Sequence, residues 1–409
     1  MNRLRTLSTR RLAGLAICLV VLIAGAGIAQ AAIRSGGPKP PPKPLANAVH
    51  DAAAGAKSVQ GVTARITFTN NLLPSGSLPQ GTTAPLVTGA SGRAWIANDG
   101  RFRLELQSEN GDAQIVSDGR TLSIYDATSN TDYRIALPQD QGSQQPQRSD
   151  TPPSLASIEK GLARLGQTWN LSGAIPTDTA GQPTYTVKVT PKGDGGLLGA
   201  AKLAFDAANG VPLNAAIYAE GQKDPVLALK ATQVSFGPIS DSVIDITPPA
   251  GAKVEQLAPA GALSATPHAH QRGPAVTGVQ AVQAKLPFTL SAPDQLAGLP
   301  RKQVWLTGEQ THPGAIVTYG QGLGGIAVFQ TQAKAGSGSS GSGSSNGSSG
   351  SAMGSLGSAL PSININGATG SELATALGTV VTFQKGGVEY TVIGSVPAQA
   401  AETAARQLG

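Results

Sequence analysis

Between Ala64 and Leu137 the chain alternates apolar and polar residues with a period of two, in short runs separated by turn-forming residues. Ala64, Ile66 and Phe68 alternate with Arg65, Thr67 and Thr69, the period of a half-buried strand. Residues 93–97, 101–107, 113–117, 121–126 and 132–137 repeat the pattern. The links are Asn98-Asp99-Gly100, Glu109-Asn110-Gly111, Asp118-Gly119 and Ser129-Asn130. Asn-Gly and Asp-Gly supply the positive φ that tight hairpins need, so the prediction is an antiparallel meander. Strands predicted at 184–190, 201–206, 213–219, 226–236 and 243–246 extend it, and Pro248-Pro249 closes it. Helices are predicted from Ala46 to Lys57 and over 154–166, the second with Leu155, Ile158, Leu162 and Leu165 on one face. Only 4% of the residues are aromatic and 52 are glycine, which suits many-turned sheets better than a helical bundle.

The N-terminus is of another kind. Arg3, Arg5, Arg10 and Arg11 precede an uncharged apolar run from Leu12 to Ala29, which ends in Ala29-Gln30-Ala31. A basic start, an apolar middle and a small-x-small exit make a secretory signal. The run also approaches the ~20 residues needed to span a bilayer. Residues 1–31 therefore read as a signal peptide or an N-terminal membrane anchor, with membrane association through residues 12–31. The chain is expected outside the cytoplasm, in the periplasm or cell envelope. Cys18, the one cysteine, lies in this segment, so the rest can form no disulfide and no thiolate metal site. The whole chain has net charge +6; without the four arginines 26 basic residues face 24 acidic ones, or +2. Nucleic-acid binding loses its main support, and no nucleic-acid partner is expected.

Residues 32–44 are a proline-rich spacer that cannot make a core, and residues 45–257 hold the meander. Residues 258–284, rich in Ala, Pro and Gly, read as a linker. A second domain over 285–409 shows strand-like runs at 303–307, 314–319, 325–330, 379–384 and 388–393 and a terminal helix from Ala398 to Leu408. It is interrupted over 335–358 by a tract of Gly, Ser and Ala with almost nothing to bury.

Residues suited to catalysis are scarce. His50, His268, His270 and His312 have no spacing that would converge on a metal. Gly343-Ser344-Ser345-Asn346-Gly347 fits the G-x-S-x-G pattern, but it lies in the Gly/Ser tract and not between a strand and a helix. Gly320-Gln321-Gly322-Leu323-Gly324-Gly325 fits G-x-G-x-x-G. It is followed by the strand-like Ile326-Ala327-Val328-Phe329, whereas a dinucleotide site needs a helix there. No metal, no cofactor and no enzymatic activity are expected.

The apolar faces of the meander carry more information. Ile66 and Phe68, then Trp95, Phe102 and Leu104, then Ile115, Ile124 and Ile135 fall on alternating positions and form the candidate ligand-binding face. Two readings stand open. One is a core packed against helices 46–57 and 154–166; the other is a curved sheet enclosing a cavity sized for a lipid chain.

Residues 45–257 resemble the LolA-like group of extracytoplasmic proteins, which includes the lipoprotein carriers and the N-terminal domain of MucB/RseB regulators. The phrases that carry this are Leu203-Ala204-Phe205-Asp206 with Gly210-Val211-Pro212-Leu213, and Phe236-Gly237 with Ile246-Thr247-Pro248-Pro249-Ala250-Gly251. Tyr319 to Phe329 and Tyr390 to Pro397, with the helix after them, are similar to phrases of the MucB/RseB C-terminal domain. The resemblance implies an α+β, mainly β fold. An antiparallel half-barrel with covering helices is followed by a smaller α+β domain. It further implies a lipid acyl chain or lipoprotein as ligand, and a membrane-anchored anti-sigma factor as partner, with Tyr319, Leu323 and Phe329 as partner-binding residues. The other function it implies is a carrier moving lipidated cargo within the envelope.

Overall fold

The structure is a computed structural model that describes residues 37–73, 86, 89–109, 111–127, 130–137, 152–257, 276–309, 312–333 and 360–408. The predicted signal or anchor segment 1–31, the first residues of the predicted spacer, most of the predicted linker including His268 and His270, and the Gly/Ser-rich tract 335–358 lie outside the described residues. The chain divides into two compact units.

The first unit begins with helix α1 (Leu45–Gly55) and strands β1 (Gly61–Asn70), β2 (Ala90–Ala97), β3 (Phe102–Ser108), β4 (Gly111–Ser117), β5 (Thr121–Asp126) and β6 (Thr131–Ala136). Helix α2 (Leu155–Leu165) follows, then β7 (Trp169–Leu171), β8 (Ile175–Thr179), β9 (Gln182–Pro191), β10 (Leu198–Asp206), β11 (Pro212–Ala219) and β12 (Leu227–Phe236). A helical turn α3 (Asp241–Ile244) and strand β13 (Lys253–Leu257) complete it. One sheet takes all these strands in the order β13-β6-β5-β4-β3-β2-β1-β12-β11-β10-β9-β7, with β8 also on β9. Its two end strands are not paired with each other. The sheet therefore curls as an open half-barrel and does not close.

The meander forms as its turns dictate: Gly100, Gly111 and Gly119 all adopt positive φ. The hairpin between β10 and β11 is held by its own side chains. Asp206, 2% exposed, accepts from the backbone N–H of Ala208 (2.8 Å) and Asn209 (3.2 Å), and Asn209 Oδ1 accepts from Val211 N (3.0 Å). Gly210 has φ +77°, and an added Cβ would meet Ala52 of α1 at 3.2 Å. Burial pushes the Asp206 carboxyl above its ordinary pKa, against the pull of those two N–H donors.

Two expectations change. Residues 243–246, expected as a strand, begin within a helical turn. Its backbone is satisfied locally, Val243 N on Ser240 O (2.9 Å) and Asp245 N on Asp241 O (2.7 Å), and Ile244 is buried at 1% exposure. The edge strand after the closing prolines is instead β13, which joins β6 in parallel. Helix α2 forms where expected, capped by Ser154, whose side chain accepts from Ser157 N. It buries none of its residues, so it is a partial cover at most.

The second unit holds α4 (Val279–Gln283), β14 (Gln295–Leu296), β15 (Leu299–Glu309), β16 (His312–Tyr319), β17 (Ile326–Gln332), β18 (Ser362–Ile365), β19 (Ala368–Thr375), β20 (Gly378–Lys385), β21 (Val388–Gly394) and α5 (Ala398–Leu408). Its sheet runs β14-β15-β16-β17-β21-β20-β19-β18. Helix α5 buries Ala401, Ala404, Ala405 and Leu408, the i, i+3, i+4, i+7 stripe that seats a helix on a sheet. Val317, Val328, Val381 and Val392 sit in the core beside them, each 0% exposed. Gln330 is fully buried on this core face and satisfied at both ends by Ser291, donating to its carbonyl (2.6 Å) and accepting from its N–H (2.8 Å). Residues expected as the end of the linker belong to this core: Val282 of α4 is 0% exposed.

Candidate ligand face and partner surface

Register decides which side chains share a face. Across the first sheet Ala64 stands opposite Ala94, Ala94 opposite Leu104, Leu104 opposite Ile115, Ile115 opposite Ile124, and Ile124 opposite Tyr133. Ile66 and Phe68 share the parity of Ala64 on β1, Phe102 that of Leu104 on β3, and Ile135 that of Tyr133 on β6. Seven of the eight residues predicted for the ligand face therefore meet on one side. Trp95 does not. It pairs with Thr63 and Arg103 on the opposite face, where the Arg103 guanidinium lies 5.2 Å above its ring. Arg103 is held there by Glu105 and by the carbonyl of Val243 (2.9 Å). On β2 that face is carried by Ala90, Gly92, Ala94 and Ile96, small residues except at the strand's end.

Burial is uneven across this face. At the β1–β3 end Ile66, Phe102 and Leu106 are buried. They form one core with Val62, Ile96, Leu213 and Phe236. Toward β6 the cover thins: Leu104, Ile115, Leu122, Ile124, Tyr133 and Ile135 are contiguous by register, yet each is only half-buried. Every residue of β5 is half-buried, whichever face it points to. A strip of large apolar side chains is thus left partly uncovered at one end of a half-barrel.

The three residues predicted to bind a partner do not share one face. Tyr319 ends β16 inside the core, 1% exposed. Its hydroxyl has no hydrogen-bond partner among the described residues, and burial pushes its pKa up to about 12. Tyr319→Phe should leave the fold intact and raise stability by about 1 kcal/mol, since a buried unpaired hydroxyl costs ~1–3 kcal/mol; a shift in the denaturation midpoint measures it. Leu323 is half-buried in the glycine loop between β16 and β17, where Gly320 and Gly322 take positive φ. A strand follows that loop, as the sequence implies for a hairpin. Phe329 lies on the face away from the core. Register aligns it with Ile316 and Trp305 in one row, beside Ala327, Ile393 and Val380 in the next. Ile393 is 41% exposed. This apolar outer face escapes a reading of the sequence phrase alone; the alternation within β15, β17 and β21 carries the signal.

No group of three or more His, Cys, Asp or Glu among the described residues could hold a metal. No helix among them is long and apolar enough to cross a membrane.

The first unit is thus an open half-barrel with a half-covered apolar strip, and the second carries an apolar outer face. No family model and no curated protein matches the chain. Among solved structures it is similar to MucB in complex with MucA(peri), at 17% identity and a TM-score of 0.41, over 88% of this chain and 97% of that one. The Pseudomonas aeruginosa MucA/MucB complex gives 17% and 0.40, over 88% and 96%. LolA superfamily protein NE2245 from Nitrosomonas europaea gives 10% and 0.22, over 50% of this chain and 99% of that one.

Proposed function

We propose that this chain is a non-enzymatic, extracytoplasmic binding protein of MucB/RseB type. Its first unit holds a lipid acyl chain or the lipid of a lipoprotein against the apolar side of the half-barrel. Its second unit binds a membrane-anchored protein of the anti-sigma factor kind. The observation that carries the reading is the strip from Leu104 to Ile135, six large apolar side chains in register with none fully buried. Burying apolar surface contributes roughly 25 cal/mol per Å², so such a strip gains from an apolar ligand. The partner half rests on the sequence phrases of residues 319–329 and 390–397 and on the outer face around Phe329 and Ile393. MucB has been seen bound to MucA(peri); an assembly of that kind here is part of the proposal. For lipid to release the partner, lipid must bind the free protein more tightly than the partner-bound one.

The second reading, a carrier of lipidated cargo, needs the apolar strip and no partner for residues 285–409. Deleting those residues separates the two. The regulator loses partner binding and keeps lipid binding; the carrier goes on delivering its cargo.

A further inference from the structure

The face of the first sheet that points away from the apolar strip carries two arginines directly opposite each other, Arg65 on β1 and Arg93 on β2. Like charges in that position are destabilising, because opposed residues bring their Cβ atoms within about 5 Å. Both are exposed. Neither forms an ion pair among the described residues. Glu105, opposite Arg93, is engaged by Arg103 instead. Lys230 on β12 adds a third exposed cation. It stands opposite Thr67, two residues along β1 from Arg65, on the same face. Strands lie about 4.8 Å apart and rise about 3.3 Å per residue, so three unpaired cations on adjacent strands fall within roughly 12 Å. Between them are Ser91, Thr67, Thr232 and Gln233, all exposed.

We infer that Arg65, Arg93 and Lys230 form a docking surface for an anionic bilayer, reading lipid phosphates by charge. Protein interfaces are anchored on buried aromatic or aliphatic side chains; this patch has hydroxyl and amide neighbours and one carboxylate, Glu105, which Arg103 engages, and the nearby Trp95 is covered by Arg103. An exposed cluster without an apolar anchor suits the dispersed negative charge of headgroups better than a protein partner. The apolar segment Leu12–Ala29 also brings the start of the chain to a membrane during export. This surface is separate from the apolar strip, so its failure would leave the ligand reading standing.

The test is co-sedimentation of protein beginning at Ala32 with phosphatidylcholine vesicles, with and without phosphatidylglycerol. The described residues of both units begin at residue 37, so that protein retains both. Binding should require phosphatidylglycerol and weaken as salt rises. Each neutralised cation should cost about five-fold in partitioning, taking ~1 kcal/mol per cation at such a surface. R65Q/R93Q should therefore lose about 25-fold, and Lys223→Gln, in an exposed turn, should lose nothing. R65Q/R93Q should melt no lower than wild type, because a repulsion is removed. Equal binding by R65Q/R93Q, equal binding to phosphatidylcholine alone, or tighter binding to polyglutamate than to the vesicles would each overturn the inference.

Discussion

Ile124→Asp should weaken binding of a fluorescent fatty acid more than tenfold while leaving a cooperatively folded protein. Ile124 stands at the centre of the half-covered strip, between Ile115 and Tyr133. A side chain of its size buried against a ligand is worth ~1.5–3 kcal/mol, and each 1.4 kcal/mol is tenfold in affinity. The aspartate removes that contact and also sets an unpaired carboxylate where an acyl chain would lie, which adds to the penalty. Because Ile124 is only half-buried, the free protein can keep the carboxylate hydrated. The same substitution at Ile66, 5% exposed, would unfold the unit and say nothing about ligand. Circular dichroism melting alongside the titration separates the outcomes. A folded Ile124→Asp protein that binds as tightly as wild type counts against the strip as the ligand site.

Leu106→Ala should destabilise the first unit by about 2–5 kcal/mol with little direct effect on ligand. Leu106 is 1% exposed and is flanked across the strands by Gly92 and Ala113. Neither neighbour has the bulk to move into the space an alanine would leave. Gly92 cannot be enlarged in compensation either, since an added Cβ would fall 1.8 Å from the carbonyl oxygen of Glu105. The void therefore stays open, and the cost belongs in the upper part of that range. Urea denaturation would read it as a lower midpoint with an unchanged slope. A loss below 1 kcal/mol would mean that the β2–β4 part of the sheet repacks freely. The rigid division between a filled end and an open end of the apolar face would then be lost.

The meander was legible because its turns and its alternation agree. Strands β1 to β6 form where the alternation and the Gly-containing turns place them, and α5 spans Ala398–Leu408 as its pattern implies. Trp95 shows where side-chain hydrophobicity misleads. Counted by bulk it belongs to the apolar face, yet the cross-strand register gives that face to Ala94 and puts Trp95 under Arg103. Small inward residues at Ala90, Gly92 and Ala94 and one large outward residue hide the pattern over most of the strand. Strands β18 and β19 were missed although Asn366-Gly367 joins them with positive φ at both positions, the hairpin signal used elsewhere in the chain; the adjoining Gly/Ser tract obscured it. Strands β7 and β8 are only three and five residues long, too short for a period to show. The parallel pairing of β13 with β6 joins residues far apart in sequence, and no local pattern encodes it. Tyr319 read as a partner contact from its place in a phrase, but alternation along β16 puts it with Val317 and Ala315 in the core.

The apolar strip was readable as a row of residues, whereas its uneven cover was not. Cover depends on how far α2 and the other elements reach over the sheet. Leu155, Ile158, Leu162 and Leu165 predict a buried helix face, and α2 buries none of them.

The central claim is that the strip from Leu104 to Ile135 holds an acyl chain. Native mass spectrometry of the protein gently extracted from the envelope of its source cells tests it most directly. The account predicts bound species with the masses of acylated lipids or of lipoprotein-derived acyl groups, and their loss from Ile124→Asp. Protein that is folded and free of lipid under every extraction condition would contradict it.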